Sequence, residues 1–385
     1  MKSIYFDYAA TTPVDPIVLR AMLPYFSKIY GNTMSLHEFG RHAHEAVEKS
    51  RSTIARIINA ETSEIYFTGS ATESNNLALK GVALANRHRG NHLIISAIEH
   101  DCVLESARYL SRNGYAVTIL PVDKYGLVNI EELESLINEK TILISIIHGN
   151  NEVGTLQDLE KIGRICRNKK VYFHTDASQS YAKELIDVKK MNIDLLTASS
   201  HKIYGPKGAA CLFVRKSVLI DPILHGGGHE NKLRSSTLNV PAIIGFAKAA
   251  EITVKSRNTE NQRLLKLRDK LISGILGNIK DTYLNGHPTK RLANNINISF
   301  PFVEGESLVM QLDFAGIACS TGSACSSTTL EPSHVLIALG LPPQGAHGSL
   351  RISLGRWTKE SDINYLLKVL PAIVKKFRRI SPFKN

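Results

Sequence analysis

Five polar clusters in this 385-residue chain stand where a short apolar run gives out. Thr68-Gly69-Ser70-Ala71-Thr72-Glu73-Ser74-Asn75 lies between a strand pattern and a helix pattern, where free backbone amides and the positive helix end favour an anion. His100 follows Ile98-Glu99, and Asn150-Asn151-Glu152 follows Ile147-His148. Asp176 closes Val171-Tyr172-Phe173-His174-Thr175, with Gln179 three residues on; Ser199-Ser200-His201-Lys202 closes the run after Asp194. Singly, each has an ordinary explanation as a helix cap or a satisfied histidine. At the carboxyl ends of strands in one sheet they would share a crevice. A lysine there, beside a phosphate-type turn and a carboxylate, suits the Schiff base of pyridoxal phosphate (PLP). Asp176 would keep the pyridine nitrogen protonated and His100 would stack on the ring. Gln179 and Asn151 would hydrogen-bond the phenolic oxygen or the substrate.

Positioning such a set takes alternating strands and helices, which the pattern supplies. Strands are expected at Ile65–Thr68, Leu93–Ala97, Val117–Pro121, Leu143–His148, Val171–Asp176, Leu195–Ser199 and Ala209–Val214. Helical patterns between them run Ala71–Asn86, Asp101–Asn113, Ile130–Asn138, Asp158–Lys169 and Ser178–Glu184. This βαβ rhythm predicts an α/β fold, a mostly parallel mixed sheet flanked by helices. After Pro241 a long helix should run to about Leu276, followed by smaller α+β elements. The expected division is a large domain over 13–255, and a small domain of 1–12 with 256–385.

Ser199-Ser200-His201-Lys202-Ile203-Tyr204-Gly205-Pro206-Lys207-Gly208 and His174-Thr175-Asp176-Ala177-Ser178-Gln179-Ser180 resemble the cysteine desulfurases of iron–sulfur assembly. So do Tyr5-Phe6-Asp7-Tyr8-Ala9-Ala10-Thr11-Thr12, Gly226-Gly227-Gly228-His229-Glu230 and Arg234-Ser235-Ser236-Thr237; the likeness runs from Ile4 to about Phe383. The resemblance implies the PLP fold-type I architecture, a homodimer with both active sites at the interface, and Lys202 as the cofactor lysine. It assigns phosphate contacts to Ala71, Thr72, Ser199 and His201, with Thr237 reaching across from the other subunit. It places Asn32 and Asn151 near the substrate and Arg351 on the substrate carboxylate, which a planar guanidinium grips bidentately.

The nucleophile maps onto Cys325, in Cys319-Ser320-Thr321-Gly322-Ser323-Ala324-Cys325-Ser326-Ser327. Small polar neighbours suit an exposed, mobile loop (about 318–330) rather than a core cysteine. L-cysteine would be the substrate, its sulfur leaving as a persulfide on Cys325, with His100 handling the thiol proton. Cys319 and Cys211 read as packing residues, and Cys102 and Cys166 sit in helices with no reactive context. The pattern departs from the family at Thr33, where proline is usual, at His229, and at Ser200 and Ser236.

Five scattered cysteines without a C-x-x-C pair argue against a disulfide framework or structural zinc. No metal is expected beyond transient iron–sulfur ligation by Cys325. The net charge of +12 raises nucleic acid, an acidic partner protein or an anionic cofactor. Its densest cluster, Lys375-Lys376-Phe377-Arg378-Arg379, is read as pairing with a helix C-terminus, and no nucleic-acid binding is expected. No apolar run reaches the roughly 20 residues of a membrane span, and Met1–Thr12 lacks a signal-peptide core, so a cytoplasmic location is expected. The expected partner is a scaffold or other sulfur-acceptor protein. Alternatives are a selenocysteine lyase, another class V aminotransferase-fold enzyme and, remotely, a PLP-binding nucleic-acid-associated regulator.

Overall fold

The computed structural model describes residues 3–322 and 332–381. Its main sheet has seven strands: β2 (Ile65–Thr68), β3 (His92–Ser96), β4 (Ala116–Leu120), β5 (Thr141–Ser145), β6 (Tyr172–Asp176), β7 (Leu195–Ser199) and β8 (Ala210–Val214). Their order is β2-β8-β7-β6-β5-β3-β4, and only β8 runs against its neighbours. β3, β5, β7 and β8 are buried along their whole lengths. Strands covered on both faces need continuous apolar runs, so Leu93-Ile94-Ile95 and Ile142-Leu143-Ile144 show no polar alternation. The run expected to continue to His148 leaves the strand after Ser145. Ile146 and His148 still donate to the His174 and Asp176 carbonyls, at 3.1 and 3.0 Å, which carries Asn151 past the sheet edge.

A second, three-stranded antiparallel sheet has the order β12 (Ser349–Ser353), β10 (Asn295–Ser299), β9 (Tyr283–Leu284). The amino-terminal β1 (Ile4–Tyr5) pairs in parallel with β11 (Ile317–Ala318). Two large apolar cores result. One gathers residues from Val18 to Ala250, the other Ile4 and Phe6 with residues from Leu264 to Val374. The Val240–Asn278 helix serves both, burying Val240 to Thr253 at one end and Leu264 to Ile275 at the other.

Two helical expectations are corrected. Ser178–Glu184 forms consecutive turns, because Ala182 takes a left-handed φ of 63° and Asp176 Oδ1 captures the Ser178 amide at 2.8 Å. Ala71–Asn86 is one helix only in outline: a π-helical turn at Leu77–Gly81 separates Ala71–Asn76 from Val82–Ala85. Gly81 lies where the chain at Asp221 passes so close that a Cβ would meet its carbonyl at 2.5 Å. The basic cluster ends the Glu360–Ile380 helix, where Arg378 donates to the Lys280 and Asp281 carbonyls, both at 2.7 Å.

Candidate active site

Because β2, β3, β5, β6 and β7 run the same way, their carboxyl ends open on one side. A cavity of about 260 Å³ lies there. Nine of the expected residues line it: Ala71, Thr72, His100, Asn151, Asp176, Gln179, His201, Lys202 and Arg351. Ala9, Ala10, Ser70, Cys102, Ile147 and Ser178 complete the wall.

Lys202 ends the one-turn helix Ser200–Lys202 after β7, and its Nζ donates to the Ala9 and Ala10 carbonyls, each at 2.7 Å. Gln179 Nε2 donates to the same Ala9 carbonyl at 2.8 Å. Asp176, at the end of β6, accepts from Asn75 Nδ2 at 2.7 Å through Oδ2. His201 Nδ1 lies 3.0 Å from Thr11 Oγ1. Burial, with Lys202 and then Lys207 adding to it, pushes that imidazole down to about 4, leaving it neutral at ordinary pH.

Arg351, on β12, is only 2% exposed. Its NH2 group meets Asp7 Oδ1 at 2.9 Å, NH1 reaches the Asn151 carbonyl at 3.4 Å, and Nε is buried without a hydrogen-bond partner. A buried, incompletely satisfied guanidinium facing a cavity is suited to a carboxylate ligand.

The helix Ala71–Asn76 begins at the cavity wall, with Ser70 Oγ capping the Glu73 amide at 3.1 Å. Its first amides lack intrahelical acceptors, as in any helix. Arg234 neutralises Glu73 through two contacts, to Oε1 at 2.5 Å and to Oε2 at 3.1 Å. The hydroxyls of Ser178 and Ser199 are buried with no partner. An anion-favouring turn, orphaned hydroxyls, a carboxylate and a lysine amine around one cavity fit the phosphate, ring and aldehyde of PLP.

Several residues fall elsewhere. Ser199 is buried at the end of β7, beside the wall rather than in it. Asn32 is exposed, and its Oδ1 accepts from the Met34 amide at 2.9 Å. Thr237 is exposed and does not line the cavity of its own chain. Cys325 lies outside the described residues. Cys319 is 8% exposed, and burial pushes its thiol up to about 12.

The reading of Cys102 as lacking a reactive context is corrected. Cys102 lines the cavity, with its Sγ 3.1 Å from His100 Nδ1 and 3.1 Å from Asn75 Nδ2. The missed signal was its place two residues after His100, in the first turn of Asp101–Arg112. His100 caps that helix by accepting the Cys102 amide on Nδ1 at 3.2 Å, so the cap brings the sulfur to the site. Glu99 was also passed over. Buried at 0% exposure, it accepts from Ser96 Oγ at 2.5 Å and the Ile147 amide at 2.6 Å.

A family model described as Aminotransferase class-V matches residues 4–366. The chain is 51% identical to the cysteine desulfurase IscS of Methanosarcina thermophila, over 99% of its own length and 94% of that protein's. It is 50% identical to cysteine desulfurase IscS 1 of Archaeoglobus fulgidus, covering 98% of each. Among solved structures, a NifS-like protein superimposes with a TM-score of 0.91 at 39% identity, over 97% of this chain and 100% of that one. The structure of SspA in complex with cysteine gives 0.82 at 38% identity, over 91% and 99%. Cavity, fold and family model agree: the chain belongs to the aminotransferase class-V family, has the fold-type I architecture, and takes PLP as its cofactor.

Proposed function

We infer that this enzyme is a cysteine desulfurase, converting L-cysteine to L-alanine and passing the sulfur to Cys325. The observation that carries the reading is the convergence of Lys202, Asp176, His100 and Arg351 on one cavity, in a chain about half identical to cysteine desulfurases.

In this reading Asp176 would hold the ring nitrogen of PLP and Lys202 its aldehyde. Ala71, Thr72, Ser199 and His201 would take the phosphate. When bound, PLP supplies a sink for the electron pair left at the substrate α-carbon. Arg351 fixes the substrate carboxylate, and Lys202 Nζ takes the α-proton. His100 accepts the substrate thiol proton, and Asn151 borders the substrate. The Cys325 thiolate attacks the sulfur: an S–S bond forms, the C–S bond breaks, and its electron pair stays with the carbon fragment, which is protonated to alanine. Cysteine and a protein thiol thus give alanine and a protein persulfide, balanced without an outside oxidant. Ser320 exchanges backbone hydrogen bonds with Arg351, at 3.3 and 2.8 Å. Cys325 is five residues on, so at most about 18 Å of extended chain separates the two.

The two cores support a large domain of 13–255 and a small one of 1–12 with 256–385. A homodimer accounts for the exposed Leu19, Phe26, Tyr30, Met34, Leu36 and Phe39, of which Leu36 is 90% exposed. It would also bring Thr237 to the partner's phosphate. Among the described residues no helix is long and apolar enough to cross a membrane. The four cysteines described are unpaired, in keeping with work in the cytoplasm. The acceptor is an iron–sulfur scaffold or another sulfur-accepting protein.

The test is alanine release from L-cysteine by wild type and Cys325→Ala. The variant should keep the yellow cofactor colour and form almost no alanine. Full activity in Cys325→Ala would refute transfer through that thiol.

A further inference from the structure

Four residues before and after the segment 323–331 are held by groups next to the site residues. Gly322 and Ser333 both meet Glu152, the residue after Asn151. Ser333 Oγ donates to Glu152 Oε2 at 2.5 Å. A Cβ on Gly322 would fall 2.5 Å from that same oxygen and 2.9 Å from Ser333 Cβ, so only glycine lets the two ends close on the carboxyl. His334 Nε2 lies 2.9 Å from the carbonyl oxygen of Glu99, the residue before His100. Ser320 is bonded to Arg351 through the backbone.

Glu152 is itself fixed. It is 1% exposed, its amide donates to Asn150 Oδ1 at 2.9 Å, and its carbonyl accepts from Asn297 Nδ2 at 3.3 Å. Burying a carboxyl has a cost that only a specific hydrogen bond offsets. The desulfurase chemistry uses no second carboxylate at this place. Ser333 completes the arrangement by accepting the Leu336 amide at 3.3 Å, capping the His334–Ala338 helix with the hydroxyl that binds Glu152.

Covalent reach gives this junction its leverage. Cys325 is three residues from Gly322, so the place of Gly322 limits the thiol to within about 11 Å of chain. We propose that Glu152 is a positioning residue of sulfur transfer, joining Gly322 and Ser333 so that Cys325 meets the substrate held at Arg351. This rests on the desulfurase reading.

Glu152→Ala, Ser333→Ala and the double variant should each keep the cofactor absorbance and a near-normal KM for cysteine. Each should lose about ten- to a hundredfold in kcat for alanine formation, since misplacement by an ångström has effects of that size. The double variant should be no worse than either single, because one hydrogen bond is removed in all three. Glu152→Gln should restore most of kcat, as its Oε1 can accept from Ser333. If Glu152→Ala does not fold, Ser333→Ala alone decides. A kcat near wild type in Ser333→Ala, additive losses in the double variant, or no rescue by glutamine would overturn the proposal. Absence of alanine release by wild type would overturn the desulfurase reading instead.

Discussion

The Asn75 side-chain nitrogen lies 2.7 Å from Asp176 Oδ2, and Asn75 is fully buried. With the Ser178 amide on Oδ1 at 2.8 Å, this bond fixes the carboxylate in the cavity wall. A hydrogen bond to a charged acceptor is worth roughly 1.5–3 kcal/mol. Asn75→Ala should therefore weaken PLP binding about ten- to a hundredfold, read by titrating the apoprotein. Unchanged affinity would mean the Asp176 carboxylate needs no such support.

Thiol labelling should separate the cysteines. Burial pushes the Cys211 and Cys319 thiols up to about 12 and raises Cys166 further, so at pH 8 none carries appreciable thiolate. Cys102 lines the cavity at a helix N-terminus. In a Cys325→Ala background, iodoacetamide should modify Cys102 first, and bound PLP should slow the reaction. Labelling of Cys211 or Cys319 in the folded protein would contradict the burial argument, as would indifference to PLP for the cavity assignment.

How far the sequence discloses this site follows from where each residue lies. Asp176 and Lys202 end apolar runs, and strand ends in a parallel sheet point to one place by topology alone. Asn75 is a helical residue whose partner Asp176 is 101 residues away, and no periodicity reveals that the His100 cap turns the Cys102 sulfur inward. Glu152 was visible only as part of a polar triplet, because its partner Ser333 is 181 residues away. Ser178–Glu184 has a helical pattern, yet the Asp176 side chain and left-handed Ala182 give it turns.

Glu99 makes stability depend on pH. Burial pushes its carboxyl up from 4.5 to about 8. Between those values the folded protein binds more protons than the unfolded chain, so stability falls as pH rises. The contribution is whole below about 4.5 and gone above about 8. Glu99→Gln keeps an acceptor for the Ile147 amide and removes the titration. It should gain on wild type between pH 5 and pH 9 in denaturant unfolding; a constant difference across that range would refute the assignment.

Glu230 carries a structural role in the Gly226-Gly227-Gly228-His229-Glu230 stretch. It grips Arg51 through two bonds of 2.6 and 2.7 Å and accepts the Phe67 amide at 2.6 Å, with Arg51 and Glu230 9% and 8% exposed. Removing one partner of a buried pair costs about 3–5 kcal/mol. Glu230→Ala should unfold at markedly lower denaturant, and a midpoint within error of wild type would show the pair to be dispensable.

The wall made by Ala9 and Ala10 sets an order on assembly. Ala9 donates its amide to Ser353 Oγ at 2.8 Å, and Asp7 holds Arg351, each contact closing a loop of 344 residues. During synthesis these two contacts cannot form until the chain past residue 353 has left the ribosome, and the pairing of Ile4–Tyr5 waits for Ile317–Ala318. The segment whose carbonyls engage Lys202 and Gln179 is therefore fully anchored only late. A nascent chain can complete its seven-stranded sheet well before that, so capture of the cofactor in a closed cavity belongs to the finished polypeptide.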